Sequence, residues 1–210
     1  MTIQAVIWDF GGVLTTSPFE AFNRFEVERG LPRDFIRTVN ATNPEHNAWA
    51  QFERAAIDAA VFDALFQAEA RALGQDVRGA DVLPLLSGDI RPRVVEKLRA
   101  CKARFKVGCI TNNVPTGQGA GMSIGADKAR AVTEVMKLFD HVIESSKLGI
   151  RKPDPRIYAL MCEALGVEAR ASVYIDDLGI NLKPAAAMGM RTIKAINEDQ
   201  ILADLAAIVG

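Results

Sequence analysis

In the stretch VIWDFGGVL (residues 6 to 14), Asp9 follows the end of an apolar strand and leads into the glycine turn of Gly11 and Gly12. A carboxylate in that setting can act as a nucleophile or as a ligand for a hard cation. Three other stretches end in groups suited to the same chemistry. CITNN (109 to 113) offers the Thr111 hydroxyl and the Asn112 amide, RKPDP (151 to 155) offers Lys152, and VYIDDLGINLKP (173 to 184) offers Asp176 and Asp177. Each has an ordinary structural alternative. Asp9 and Thr111 are common turn caps, Lys152 is a residue type found mostly on the surface, and successive strand residues such as Asp176 and Asp177 point to opposite faces.

The elements that must position these groups are legible as periodicities. Apolar runs at 3 to 8, 106 to 110, 140 to 144, 172 to 175 and 191 to 194 predict buried strands. Helical spacing lies between most of them. Val94, Leu98, Cys101 and Phe105 follow the start signal Arg91-Pro92, and Ile157, Leu160, Met161 and Leu165 follow Pro155 and stop at Gly166. Strands alternating with helices imply an α/β fold, a doubly wound parallel sheet of Rossmann type, with its ligand crevice at the carboxyl ends of the strands. Residues 17 to 88 contain no convincing strand and read as several helices. Ile57, Val61, Leu65, Ala68 and Ala72 form an apolar stripe there. Phe19, Phe22, Phe25, Phe35, Trp49, Phe52, Phe62 and Phe66 supply the bulk for a separate small core. The glycines from Gly117 to Gly125 read as a mobile surface loop, since they open no phosphate-binding fingerprint.

In this order, the four chemical stretches resemble the motifs of the haloacid dehalogenase-like hydrolases, and the resemblance runs along essentially the whole chain. HVIESSKLGIRKPDPRIY (141 to 158) and YIDDLGINLKPAAAMGM (174 to 190) are most similar to the phosphatase domains at the N-terminus of mammalian soluble epoxide hydrolases. The resemblance implies a core of residues 1 to 16 and 89 to 210, and a helical cap of residues 17 to 88 that closes over the site. It also implies an aspartate nucleophile at Asp9, a catalytic Lys152, phosphoryl contacts from Thr111, Asn112 and Lys152, and a magnesium site of Asp9, the Gly11 carbonyl, Asp177 and Asp176.

Charge explains why such a site needs these groups. Phosphoryl oxygens repel an anionic nucleophile, so positive charge and in-line positioning must be supplied. Magnesium prefers about six oxygen ligands and binds through one or two carboxylates plus the phosphate. One departure stands out: many phosphatases of the family carry a second aspartate two residues after the nucleophile as general acid, and here that position is Gly11. The carbonyl that binds the metal is kept, and the proton donor is lost. Bacterial sugar-phosphate phosphatases with a similar first motif share this feature. The loop NPEHN (43 to 47) is expected to face the site, where His46 would handle substrate and stand in for the missing acid. A phosphomonoesterase acting on a small metabolite leads; a 2-haloacid dehalogenase and a non-catalytic binding protein are the alternatives.

Composition narrows the partners. With 25 basic and 26 acidic residues the net charge is −1, which gives no basic stripe for nucleic acid and no polybasic tail for a membrane surface. No apolar run is long enough to span a bilayer, and MTIQAVIWDF reads as a strand, not a signal peptide. Cys101, Cys109 and Cys162 lack metal-ligand spacing and read as reduced, buried residues of a cytoplasmic protein. Monomer and homodimer both remain open.

Overall fold

The computed structural model describes residues 2–116, 119 and 121–210. Strand β1 (Ala5–Trp8) is buried along its whole length. Beyond Asp9 the chain leaves the sheet for α1 (Pro18–Arg29), α2 (Phe35–Ala41), α3 (Ala48–Glu53), α4 (Ala59–Ala72) and α5 (Gly79–Val82), followed by a short 3₁₀ turn. Local caps set the helix starts. Ser17 stands at the N-cap of α1 with Pro18 at the first helical position, while Asn47 and Asp58 accept backbone N–H groups at the starts of α3 and α4.

Phe22, Phe35, Phe52, Phe62 and Phe66 are fully buried in this insert, and Phe19, Phe25 and Trp49 pack at its margin. Phe52 stacks on Phe62 with ring centroids 4.7 Å apart. Helix α4 is rotated from the expected stripe. Phe62, Phe66 and Ala70 face inward, and Val61 and Leu65 are 42% and 38% exposed. Both sets have near-helical spacing; the phenyl rings remove more apolar area from water than Val and Leu, so they take the interior. Val114 and Met122, which follow the second strand, complete this cluster and tie it to the sheet.

The insert is entered and left side by side. Thr15 pairs with Ile90 in an antiparallel bridge, Thr16 N–H donates to the Asp89 carbonyl at 2.8 Å, and Arg91 N–H donates to the Leu14 carbonyl at 2.9 Å.

After the insert come α6 (Pro92–Lys102), β2 (Lys106–Thr111), α7 (Ala126–Met136), β3 (His141–Glu144), α8 (Ser145–Leu148), α9 (Pro155–Leu165), β4 (Ser172–Asp176), α10 (Gly179–Ala187), β5 (Arg191–Lys194) and α11 (Glu198–Val209). The five expected strands form one parallel sheet in the order β3-β2-β1-β4-β5. Its faces follow the alternation of β1. Val6 and Trp8 pack under α6, α7 and α11, whereas Ala5 and Ile7 pack under α9 and α10. Leu160, expected on the inner stripe of α9, is 36% exposed, and Tyr158 and Cys162 lie inside instead. All three cysteines are buried and free. Gly117 lies outside the described residues. Of the residues described there, Gly119, Ile124 and Gly125 are exposed as a surface loop would have them, whereas a Cβ on Gly121 would lie 2.7 Å from both Phe10 and Val132 and Ser123 is buried, so this part is packed on the core.

Candidate active site

The strand register brings the chemical groups to one edge. Trp8 is level with Cys109 and Ile175, so Asp9, Thr111 and Asp176 all stand at the carboxyl ends of neighbouring strands. Asp9 N–H donates to the Ile175 carbonyl at 2.8 Å, extending the ladder by one step and holding Asp9 in the crevice, 7% exposed. Its Oδ1 accepts from Phe10 N–H at 2.6 Å.

Lys152 arrives from the loop before α9 and is 1% exposed. Its Nζ lies 2.8 Å from Asp9 Oδ1 and 2.8 Å from Asp176 Oδ2. Asp176 in turn accepts from the Tyr174 hydroxyl, from Leu178 N–H at 2.8 Å, and from Asn181 Nδ2 at 3.0 Å and 3.1 Å to its two oxygens. Asn181 is itself fixed, because the Tyr158 hydroxyl donates to its carbonyl at 2.7 Å. Asp177 is reached by Ser17 Oγ at 3.3 Å.

These charges strain against one another. Burial lifts the Asp9 carboxyl well above its ordinary value, and the negative charges of Asp176 and Asp177 add to that against the opposing pull of Lys152. Burial likewise raises Asp177 to about 6, with Asp176 in the same direction and Lys152 and Ser17 opposing. For Lys152 burial works the other way, yet Asp176 and Asp9 outweigh it and keep the ammonium charged. Fully ionised, three carboxylates and one ammonium leave a net charge of −2. Oxygens of Asp9, Asp176 and Asp177 lie within 4.8 Å of one another, so the cluster could hold a metal ion.

Two glycines shape the space beside it. Gly12 has φ of +75° and touches Asp177, whereas a Cβ on Gly11 would meet nothing within 4 Å. Asn112 is engaged with the chain itself. Its Oδ1 accepts from Lys152 N–H at 2.8 Å, and its Nδ2 donates to the Lys152 carbonyl at 3.0 Å and to Glu53 at 3.3 Å. His46 is exposed and lines a surface cleft of about 510 Å³ with Arg54, Arg151, Asp154 and Arg156. Asp9, Thr111, Asp176 and Asp177 are not among the residues lining that cleft, although the same loop touches the loop of Lys152, since Arg151 Nη1 donates to the Pro44 carbonyl at 3.1 Å.

Ser17, Tyr174, Asn181, Glu53 and Arg151 join the site without having been singled out in the sequence. Asn181 and Tyr174 lie close in sequence to Asp176, a local signal; Ser17 and Glu53 are brought in by the tertiary fold alone.

The family profile described as haloacid dehalogenase-like hydrolase matches residues 3–189. The chain belongs to this family. Among curated proteins it is 29% identical over 215 residues to mouse acyl-CoA dehydrogenase family member 10, with 99% of this chain and 19% of that protein aligned. Mouse bifunctional epoxide hydrolase 2 is 28% identical, with 100% of this chain and 39% of that protein aligned, so the chain spans only a fraction of either relative. Phosphatase MT3486 of Mycobacterium tuberculosis is 28% identical over 91% of this chain and 86% of its own length. The fold matches that of a haloacid dehalogenase-family enzyme of Bacteroides thetaiotaomicron, solved with magnesium and inorganic phosphate. The TM-score is 0.62 at 20% identity, with 95% and 98% of the two chains covered. L-2-haloacid dehalogenase of Xanthobacter autotrophicus superposes with a TM-score of 0.60 at 18% identity, covering 98% of this chain and 83% of that one. Among the described residues no helix is long and apolar enough to cross a membrane.

Proposed function

We propose that this hydrolase is a magnesium-dependent phosphatase of a small phosphorylated metabolite, with residues 1–16 and 89–210 as its catalytic core and residues 17–88 as its cap. The observation that carries this reading is the cluster of Asp9, Asp176 and the part-buried Asp177, balanced by one lysine that pairs with the first two, whose excess negative charge suits a divalent cation. Asp9 and Asp177 would hold the ion together with the Gly11 carbonyl, and an all-oxygen donor set suits magnesium. The close seat of Asp177 on Gly12 fits this role, because it leaves the carboxylate beside the glycine turn with no side chain between. Bound there, the ion would neutralise phosphoryl oxygens and help orient them.

The remaining chemistry belongs to the chain. Oδ1 of Asp9 is fixed by Phe10 N–H and Lys152, so Oδ2 is the oxygen that attacks phosphorus. The Asp9–phosphorus bond forms as the bond to the leaving oxygen breaks, and water then hydrolyses the aspartyl-phosphate to free Asp9 and inorganic phosphate. Lys152 offsets the charge that develops on phosphorus-bound oxygens, and Thr111 donates its hydroxyl to one of them. Asn112 serves through Lys152, whose backbone it clamps. Asp176 serves as the anchor of Lys152: a carboxylate has about four lone-pair sites, and the hydrogen bonds it already accepts leave little capacity for a metal.

The phosphatase relative and the magnesium–phosphate complex of the structural neighbour support this reading. The acidic cluster favours it over dehalogenation, because attack on a halogen-bearing carbon needs no divalent cation. The test is hydrolysis of p-nitrophenyl phosphate with and without magnesium. Activity should vanish in chelator and in Asp9→Asn; activity that survives either change overturns the mechanism, and halide release from 2-chloropropionate would install the dehalogenase in its place.

A further inference from the structure

Glu53, at the end of α3 in the insert, is 7% exposed, and both of its carboxylate oxygens are hydrogen-bonded. Oε1 accepts from Trp49 Nε1 at 3.0 Å, while Oε2 accepts from Arg151 Nε at 2.5 Å and Asn112 Nδ2 at 3.3 Å. Arg151 and Asn112 belong to the core, and both are directly joined to Lys152: Arg151 precedes it in the chain, and Asn112 holds its N–H and carbonyl together. A continuous set of contacts therefore runs from the insert through Glu53 to Asn112, to the Lys152 backbone, and on to Asp9.

We propose that Glu53 is a positioning residue, which seats Asn112 and Arg151 so that Lys152 is held against Asp9 when the insert is packed on the core. The proposal rests on the phosphatase reading only for its kinetic consequence. Its physical basis is the burial of the carboxylate. A charge removed from water is tolerated when it is paired and hydrogen-bonded, so Glu53 can stay buried only with these partners in place. Glu53 keeps the Trp49 indole, which lies on α3 itself, in any position of the insert, but it has its cation and the Asn112 amide only while α3 lies against the loop of Arg151. Lifting the insert would break two of these three contacts at once and free one hydrogen of the Asn112 amide, loosening the clamp on Lys152. Placement of the lysine and closure of the insert are thus one event. A bidentate backbone clamp of this kind also accounts for an amide at position 112 without requiring it to reach the substrate.

Two readouts on Glu53→Gln and Arg151→Met test this. Glu53→Gln keeps the shape of the side chain and removes its charge. Hydrogen exchange of the Lys152 amide, which donates to Asn112, should rise at least about tenfold in Glu53→Gln while the β1 amides are unchanged. With p-nitrophenyl phosphate, kcat should fall about tenfold to a hundredfold with KM little altered, as expected for a displaced catalytic group. The double variant should lose no more than the worse single variant, because the two residues act as a unit. Unchanged exchange at Lys152, or additive losses in the double variant, overturns the proposal. If the parent hydrolyses no phosphate ester while the exchange result holds, the phosphatase reading fails and the role of Glu53 stands.

Discussion

The Asp177 carboxylate fills the space a side chain on Gly12 would need: a Cβ there would lie 2.2 Å from Asp177 Oδ2, and the φ of +75° at Gly12 is one that residues with side chains rarely adopt. Gly12→Ala should therefore push Asp177 out of place while adding backbone strain. The expected outcome is at least a hundredfold loss of phosphatase activity and a weaker response to magnesium. Parent-like activity in a folded Gly12→Ala would show that Asp177 need not sit against the turn.

Gly11 has the opposite character, since a Cβ there meets nothing within 4 Å. Gly11→Asp should fold and could supply the missing general acid. Alkyl phosphates, whose leaving group needs a proton, should gain more than p-nitrophenyl phosphate, by up to about a hundredfold. Equal gains on the two substrates, or loss of activity, would assign Gly11 to another purpose.

Lys152 is the only cation within 3 Å of both Asp9 and Asp176 among the described residues. Lys152→Met should leave buried carboxylates uncompensated and destabilise the fold by about 3–5 kcal/mol, a loss that magnesium should partly reverse. Asp177→Ala should behave differently, with a smaller stability change and weakened magnesium binding by calorimetry. Binding equal to the parent's in Asp177→Ala would remove it from the ligand set.

The pH dependence has a definite sign. Asp177 is raised to about 6, chiefly by burial, so the folded chain holds that proton more tightly than the unfolded chain. Its contribution to stability is present below about pH 4 and is lost as pH rises through about 6. In chelator, the unfolding free energy of the parent minus that of Asp177→Asn should fall by up to about 3 kcal/mol between pH 4 and pH 7. A flat difference would mean that the carboxyl is already ionised at pH 4.

His46 stands with Arg54 and Arg156 on a cleft that does not include the acidic cluster. His46→Gln should leave the ratio of alkyl to aryl phosphate hydrolysis unchanged at every pH. A selective loss on alkyl substrates, with one limb of the pH profile missing, would make it the proton donor.

The strands were legible because a continuous apolar run is a local property, and the central ones are indeed buried on both faces. Asp9, Thr111, Lys152, Asp176 and Asp177 were each ambiguous in their own neighbourhoods and were picked out only by the family resemblance that the four stretches carry in order. The face of α4 was not legible, since Val61-Leu65 and Phe62-Phe66 have the same spacing and only the packed interior chooses between them. Ser17 and Glu53 were invisible for a related reason: nothing near either residue in the sequence says that it will meet Asp177 or Arg151. Asn112 was found, but its partner was not; only the fold reveals that its amide faces the Lys152 backbone.

The bridge between Thr15 and Ile90 makes the insert, in topological terms, one long detour that returns to its own doorstep. A change in length between those two residues need not shift the register of any strand, provided the packing on Val114 and Met122 and the contact of Ser17 with Asp177 are kept. In the proposed function, selection for a new substrate would then act on one contiguous length of gene, while the proposed catalytic residues stay at the edge of the sheet. Glu53 limits that freedom, because a replacement insert must bring its own partner for Arg151.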